Sequence, residues 1–134
     1  MGSTGADRLR ALPLFAEVSA AALERLSAAA TEFEAPAGRV LAEIGQPGSG
    51  MFVVEEGQVA VELPSGGEVT LGPGEFFGEM SLLTDDLHSA RVRAKTSVRC
   101  LALSRRDFTA LLDDEPKVAV AMLPVLARRL RDSI

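Results

Sequence analysis

From Ala37 to about Leu103, glycine or proline returns every several residues and leaves between them short stretches rich in valine. A chain interrupted that often cannot build long helices, because inside one a glycine costs about 1 kcal/mol and a proline about 3 kcal/mol. It builds short strands and tight turns instead. Strands are expected from Val40 to Glu43, from Met51 to Glu56, from Val59 to Leu63, from Glu68 to Leu71, from Ser89 to Ala94 and from Val98 to Leu103. Val59, Val61 and Leu63 alternate with Gln58, Ala60 and Glu62, which turns one face inward and the other to solvent. The turn from Pro64 to Gly67 suits a hairpin. Many short strands with this punctuation argue for a sandwich, barrel or jelly roll, and a closed roll also hides its edges.

Helices flank the roll. Leu9, Leu12, Leu14, Phe15 and Val18, with Pro13 among them, read as short helical turns. Ser19 is the expected N-cap of a helix from Ala20 to Ala30 that carries Ala22, Leu23, Leu26 and Ala30 on one face. Ser104 and Asp107 open a helix carrying Phe108, Leu111 and Leu112. A last helix from Pro116 to Ile134 carries a stripe of Ala119, Leu123, Leu126 and Leu130, with a kink expected at Pro124. The mainly β chain thus divides into a helical segment at 1–36, a roll at 37–103 and C-terminal helices at 104–134.

Composition narrows the chemistry. At 134 residues one core suffices. His88 is the only histidine and Cys100 the only cysteine, so no cluster of imidazoles or thiolates is available to hold a metal. This argues against a metal-dependent roll enzyme of the cupin type, and no catalytic residue is expected. Cys100 reads as a small buried hydrophobe. A net charge of −5 disfavours direct nucleic-acid binding, and nothing in the sequence reads as a DNA-binding domain. No apolar run is long enough to span a bilayer, so a cytoplasmic protein without a membrane partner is expected.

The informative stretch is Phe77-Gly78-Glu79-Met80-Ser81-Leu82-Leu83, then Thr84 to His88, then Ser89-Ala90-Arg91-Val92-Arg93-Ala94. A short helix starting at Glu79 presents free amides at its first turn, and a carboxylate fixed beside them can accept from a sugar hydroxyl. Phosphate and ribose are the groups such a corner suits. In these residues the chain resembles the cyclic nucleotide-binding domains of the catabolite activator protein, of the regulatory subunits of cAMP-dependent protein kinase and of cyclic-nucleotide-gated channels. The resemblance covers nearly the whole chain: N-terminal helices, a β-roll interrupted by a phosphate-binding cassette at 77–93, then two C-terminal helices.

That resemblance implies that Glu79 accepts from the ribose 2′-hydroxyl, that backbone groups of Gly78, Met80 and Ser81 line sugar and phosphate, and that Ser89 and Ala90 offer donors to the phosphate. His88 stands where the family places an arginine, and Leu87 where it places a proline. Arginine is a permanent two-pronged cation, whereas histidine is mostly neutral at pH 7. Losing a charged hydrogen bond of roughly 1.5–3 kcal/mol weakens binding by about one to two orders of magnitude. A protonated His88 or the nearby Arg91 are the two expected substitutes. Two readings stay open: a regulatory module for a cyclic nucleotide, cAMP before cGMP, that acts through its C-terminal helices on a protein effector, or a domain of the same fold that has lost the ligand and serves interaction or dimerisation. The stripe on the last helix packs back on the roll or meets its copy in a homodimer, two arrangements that periodicity alone does not separate and that fit either reading.

Overall fold

The computed structural model describes residues 5–46, 50–84 and 90–133. Its elements run α1 (Gly5–Arg10), a single 3-10 turn (Pro13–Phe15), α2 (Ala20–Ala29), β1 (Thr31–Ala35), β2 (Val40–Ala42), β3 (Gly50–Glu56), β4 (Val59–Glu62), β5 (Glu68–Leu71), β6 (Phe76–Phe77), α3 (Glu79–Thr84), β7 (Arg91–Ala94), β8 (Val98–Ser104), α4 (Arg105–Asp114) and α5 (Pro116–Ser133). They form two compact units, one spanning Ala30–Arg105 and the other bringing the N-terminal helices together with the C-terminal ones.

The first unit is an antiparallel β-roll of two four-stranded sheets, ordered β1-β8-β3-β6 and β2-β7-β4-β5. Strand alternation fills the space between them: Val54, Phe77, Val98 and Cys100 come from one sheet, and Val59, Leu71 and Val92 from the other. The hairpin expected around Pro64 to Gly67 is present, with Val59 opposite Leu71 and Val61 opposite Val69. Gly57 turns β3 into β4 at a φ of 86°, a left-handed conformation that costs a residue with a β-carbon roughly 1–2 kcal/mol.

The roll begins earlier than its glycine pattern indicates. Thr31–Ala35, assigned from sequence to the helical segment at 1–36, is strand β1, paired along its length with β8 from Thr31 opposite Ala102 to Ala35 opposite Val98. Phe33 and Ala35 turn inward while Glu32 and Glu34 turn out, a period of two carried by only five residues with no glycine to announce it. Phe76 and Phe77, just before the helix at Glu79, also form a short strand, pairing with Val53 and Phe52.

In the helical unit, the Ser19 hydroxyl accepts from the Ala22 amide at 3.2 Å, the expected N-cap. The same hydroxyl donates to Glu115 between α4 and α5 at 2.6 Å, and the Ser19 amide donates to the same carboxylate oxygen at 3.3 Å. Ala22, Leu23 and Leu26 are buried as expected, while Ala30 lies past the end of α2 and is half-buried. On α5 Val118 and Met122 are buried, while Leu123 and Leu130 of the stripe read from sequence are 61% and 65% exposed. Among the described residues no helix is long and apolar enough to cross a membrane.

Candidate functional site

The site is built outward from β6. Gly72 to Glu75 makes a turn that the Glu75 carboxylate closes by accepting the Gly72 amide at 2.8 Å. The Gly74 amide donates to the Val54 carbonyl at 2.8 Å and the Val54 amide to the Glu75 carbonyl at 2.9 Å, which delivers the chain onto β3. Phe77 then stacks on Phe52 with centroids 5.0 Å apart, and Phe52 meets Phe33 edge-on at 5.7 Å. This apolar anchor fixes the residue before Gly78, whose φ of 86° swings the chain out of the strand and into α3. A β-carbon at Gly78 would lie 2.9 Å from the Gly50 carbonyl oxygen, so glycine is required here for space as well as for conformation.

Glu79 follows at once as the first residue of α3, and only 3% of it is exposed. The Glu55 side chain, 6% exposed, lies 3.3 Å from the Arg99 guanidinium, and among the described residues Glu79 is the one charged residue buried as a whole. A carboxylate is withdrawn from water at a cost of several kcal/mol unless polar partners receive it, so its position is specified by the fold and not by solvent. Its place in the first turn also complements the helix dipole.

Farther along the roll, the inner face of the second sheet is uncovered at Val69. Val69 points inward from β5 opposite Val61, yet it is 46% exposed, whereas the next inward pair, Val59 and Leu71, is buried. An apolar inner wall left open to solvent has the character of a binding surface. Sequence reading placed Val61 and missed Val69, because alternation tells which residues face inward and not where the covering layer stops.

Ala90 is half-buried just before β7. His88 and Ser89, and with them the expected phosphate donors of the link, lie outside the described residues, as do the side chains of Met80 and Ser81. Arg91 is described and is engaged: it faces the outside of its sheet together with Arg93, while Val92 and Ala94 turn into the core. Its Nε donates to Glu43 at 2.9 Å, and its guanidinium lies 3.8 Å from Glu62. The hydrogen bond from Arg91, seconded by the Ile44 amide, holds the Glu43 carboxyl below its ordinary value, and Glu43 raises the Arg91 guanidinium in return. Arg93 pairs with Glu62 at 3.2 Å and Lys95 with Glu68 at 3.5 Å, so the outward face is a charge ladder. Cys100 is buried in the core, and burial pushes its thiol up to about 11. Among the described residues no group of three or more His, Cys, Asp or Glu is arranged to hold a metal ion. A hollow of about 260 Å³ in the helical unit, between Pro13–Val18 and Lys117–Ala121, is apolar apart from Glu17 and Lys117 at its wall and brings no convergent polar groups together.

A β-roll of this order, interrupted by a glycine swing into a short helix with a buried glutamate at its start, defines a class, and comparison agrees: residues 32–115 match the cyclic nucleotide-binding domain model. The chain belongs to the cyclic nucleotide-binding domain family. It is 43% identical over 109 residues to a cyclic nucleotide-gated potassium channel of Mesorhizobium japonicum, covering 81% of this chain and 30% of the channel. Among solved structures it resembles the Thermus thermophilus catabolite activator protein, with a TM-score of 0.77 and 34% identity over 90% of this chain and 59% of that one. It also resembles a triple mutant of the regulatory subunit of a cAMP-independent protein kinase A from Trypanosoma brucei, solved with cAMP in its A site, with a TM-score of 0.74 and 26% identity over 90% of this chain and 44% of that one. The chain therefore spans about a third of the channel and under two thirds of the activator.

Proposed function

We propose that this chain is a regulatory module that takes a cyclic nucleotide at the start of α3, cAMP in preference to cGMP, and passes occupancy on through α4 and α5 to a protein effector. It acts by binding and not by catalysis. The observation that carries the reading is Glu79, a carboxylate buried to 3% beside a glycine of positive φ in a family whose members bind this ligand class. Glu79 accepts from the ribose 2′-hydroxyl. The cyclic phosphate takes the backbone donors of Gly78, Met80, Ser81, Ser89 and Ala90, and His88 supplies charge when protonated. The purine rests on the open wall at Val61 and Val69. That wall is apolar, so guanine, with more polar edge to leave unpaired there, loses more on burial than adenine does. Arg91 stays with Glu43 and Glu62 in this reading.

The test is calorimetric titration with cAMP and cGMP from pH 5.5 to 8. Affinity for cAMP strengthens below about pH 6.5 as His88 gains its proton. Glu79→Ala abolishes the heat, His88→Arg tightens binding by about tenfold or more, and Arg91→Ala changes affinity by less than about twofold. Silence of wild type and His88→Arg at millimolar ligand supports the second reading, a domain of this fold that no longer takes the nucleotide. His88 at the arginine position favours that alternative. So does the Trypanosoma brucei subunit, described as cAMP-independent, since one of the three substitutions in its cAMP-bound mutant introduces an arginine.

In either reading α5 carries the contact to a second copy of the chain. Val120, Leu123 and Leu130 are 64%, 61% and 65% exposed, whereas Val118 and Met122 are buried. Their spacing of three and seven residues is that of an a/d seam. Sedimentation analysis checks this: the wild-type chain is dimeric at micromolar concentration and the Leu123→Glu, Leu130→Glu double variant is monomeric. A monomeric wild type refutes it.

A further inference from the structure

We infer that Gly50 is a positioning residue for Glu79, setting the depth of the carboxylate through a stack of three main chains. Gly50 opens β3, is buried and lies opposite Ser104 of β8. A β-carbon on it would fall on the Leu103 carbonyl oxygen. On its other side, the Gly50 carbonyl oxygen lies 2.9 Å from where a β-carbon on Gly78 would be. Leu103, Gly50 and Gly78 therefore meet backbone to backbone with no side chain between them.

Contacts of this kind are stiff. A side chain pressed by a neighbour changes rotamer, but a planar peptide held in a ladder moves only with its strand. Met51 is paired to Leu103 and Gly50 to Ser104, so β3 and β8 hold the Gly50 carbonyl in place. Gly78 rests on that carbonyl, and Glu79 is the next residue. Consecutive α-carbons are about 3.8 Å apart, so a strand displaced by half an ångström carries the carboxylate with it. Hydrogen bonds to a sugar hydroxyl span only a few tenths of an ångström in length, so that displacement removes them. In sequence Gly50 reads only as the end of a glycine-rich turn from Gly45. Its φ is not positive, and its carbonyl approaches Gly78.

This inference rests on the proposed cyclic nucleotide site, and its test separates the two. Gly50→Ala and Gly72→Ala are compared with wild type, full length. Gly72 has nothing within 4 Å of its β-carbon position and serves as the control. In the absence of ligand, Gly50→Ala shifts the amide resonances of Gly78 and Glu79, and Gly72→Ala leaves them in place. Titrated with cAMP well below its Tm, Gly50→Ala binds at least tenfold more weakly than wild type, and Gly72→Ala within twofold. A residue that merely supports the fold lowers Tm without changing the affinity of the folded molecules. A folded Gly50→Ala with unmoved Gly78 and Glu79 amides, or with unchanged affinity, overturns the proposal. Where wild type itself takes no cyclic nucleotide, the proposed function fails and the amide shifts alone decide on the stack. Where Gly50→Ala does not fold, wild type decides. A β-carbon on Gly78 would lie 3.7 Å from the Met51 α-carbon, so a nuclear Overhauser contact between the α-protons of Gly78 and Met51 is expected, and its absence refutes the stack.

Discussion

Glycine does two different things in this roll. Gly66 and Gly57 both adopt positive φ, at 104° and 86°. A β-carbon at Gly66 meets nothing within 4 Å, whereas one at Gly57 falls on the Ser97 carbonyl oxygen and lies 2.9 Å from the Thr96 hydroxyl. Alanine at Gly66 therefore costs only the left-handed conformation, about 1 kcal/mol, and alanine at Gly57 adds a backbone collision for a total of about 3 kcal/mol. By thermal unfolding Gly57→Ala lowers Tm by about 10 °C and Gly66→Ala by about 4 °C. Equal losses would show that close approach at Gly57 adds nothing. Both residues are legible in the sequence as turn glycines, but only the structure tells them apart, because the colliding carbonyl comes from forty residues farther along.

At the scale of elements, α2 shows how an expected cap acquires a second role. Ser19 reads as an N-cap from the helical pattern that follows it, and it is one. Glu115, far away in sequence, adds a carboxylate that accepts both the Ser19 hydroxyl and the Ser19 amide, so a charge sits at the positive end of α2. Ser19→Ala loses the cap and one of those bonds, a cost of about 2 kcal/mol in urea unfolding. Ser19→Asp keeps the cap but repels Glu115, and its stability lies between wild type and Ser19→Ala. A Ser19→Ala variant as stable as wild type would mean the bonds add nothing over solvation. Helix α5 teaches the converse. Its sequence is apolar on nearly every side, so periodicity offers several stripes of similar quality. The one chosen from sequence through Leu123 and Leu130 is exposed, and the neighbouring one through Val118 and Met122 is buried.

For the molecule as a whole, the lone thiol of Cys100 reports when the roll opens. It lies in the core between the sheets, and burial raises its pKa to about 11. In the native chain at pH 8 it stays unmodified by a thiol reagent for hours, and denaturant exposes it within minutes, followed by mass. Rapid labelling of the native chain would show that the sheets part readily. Sequence alone determined the short strands, the flanking helices and the helix start at Glu79 from local properties, glycine spacing and alternation of period two, and a contiguous motif carried the resemblance that chose the antiparallel roll and the family. Tertiary structure alone decided that Thr31–Ala35 is a strand, that Arg91 pairs with Glu43 and Glu62, that Val69 is uncovered, and that the Gly50 carbonyl lies close to Gly78. Each of those depends on which distant strand lies alongside, and pairing across a sheet is written in no single segment of the chain.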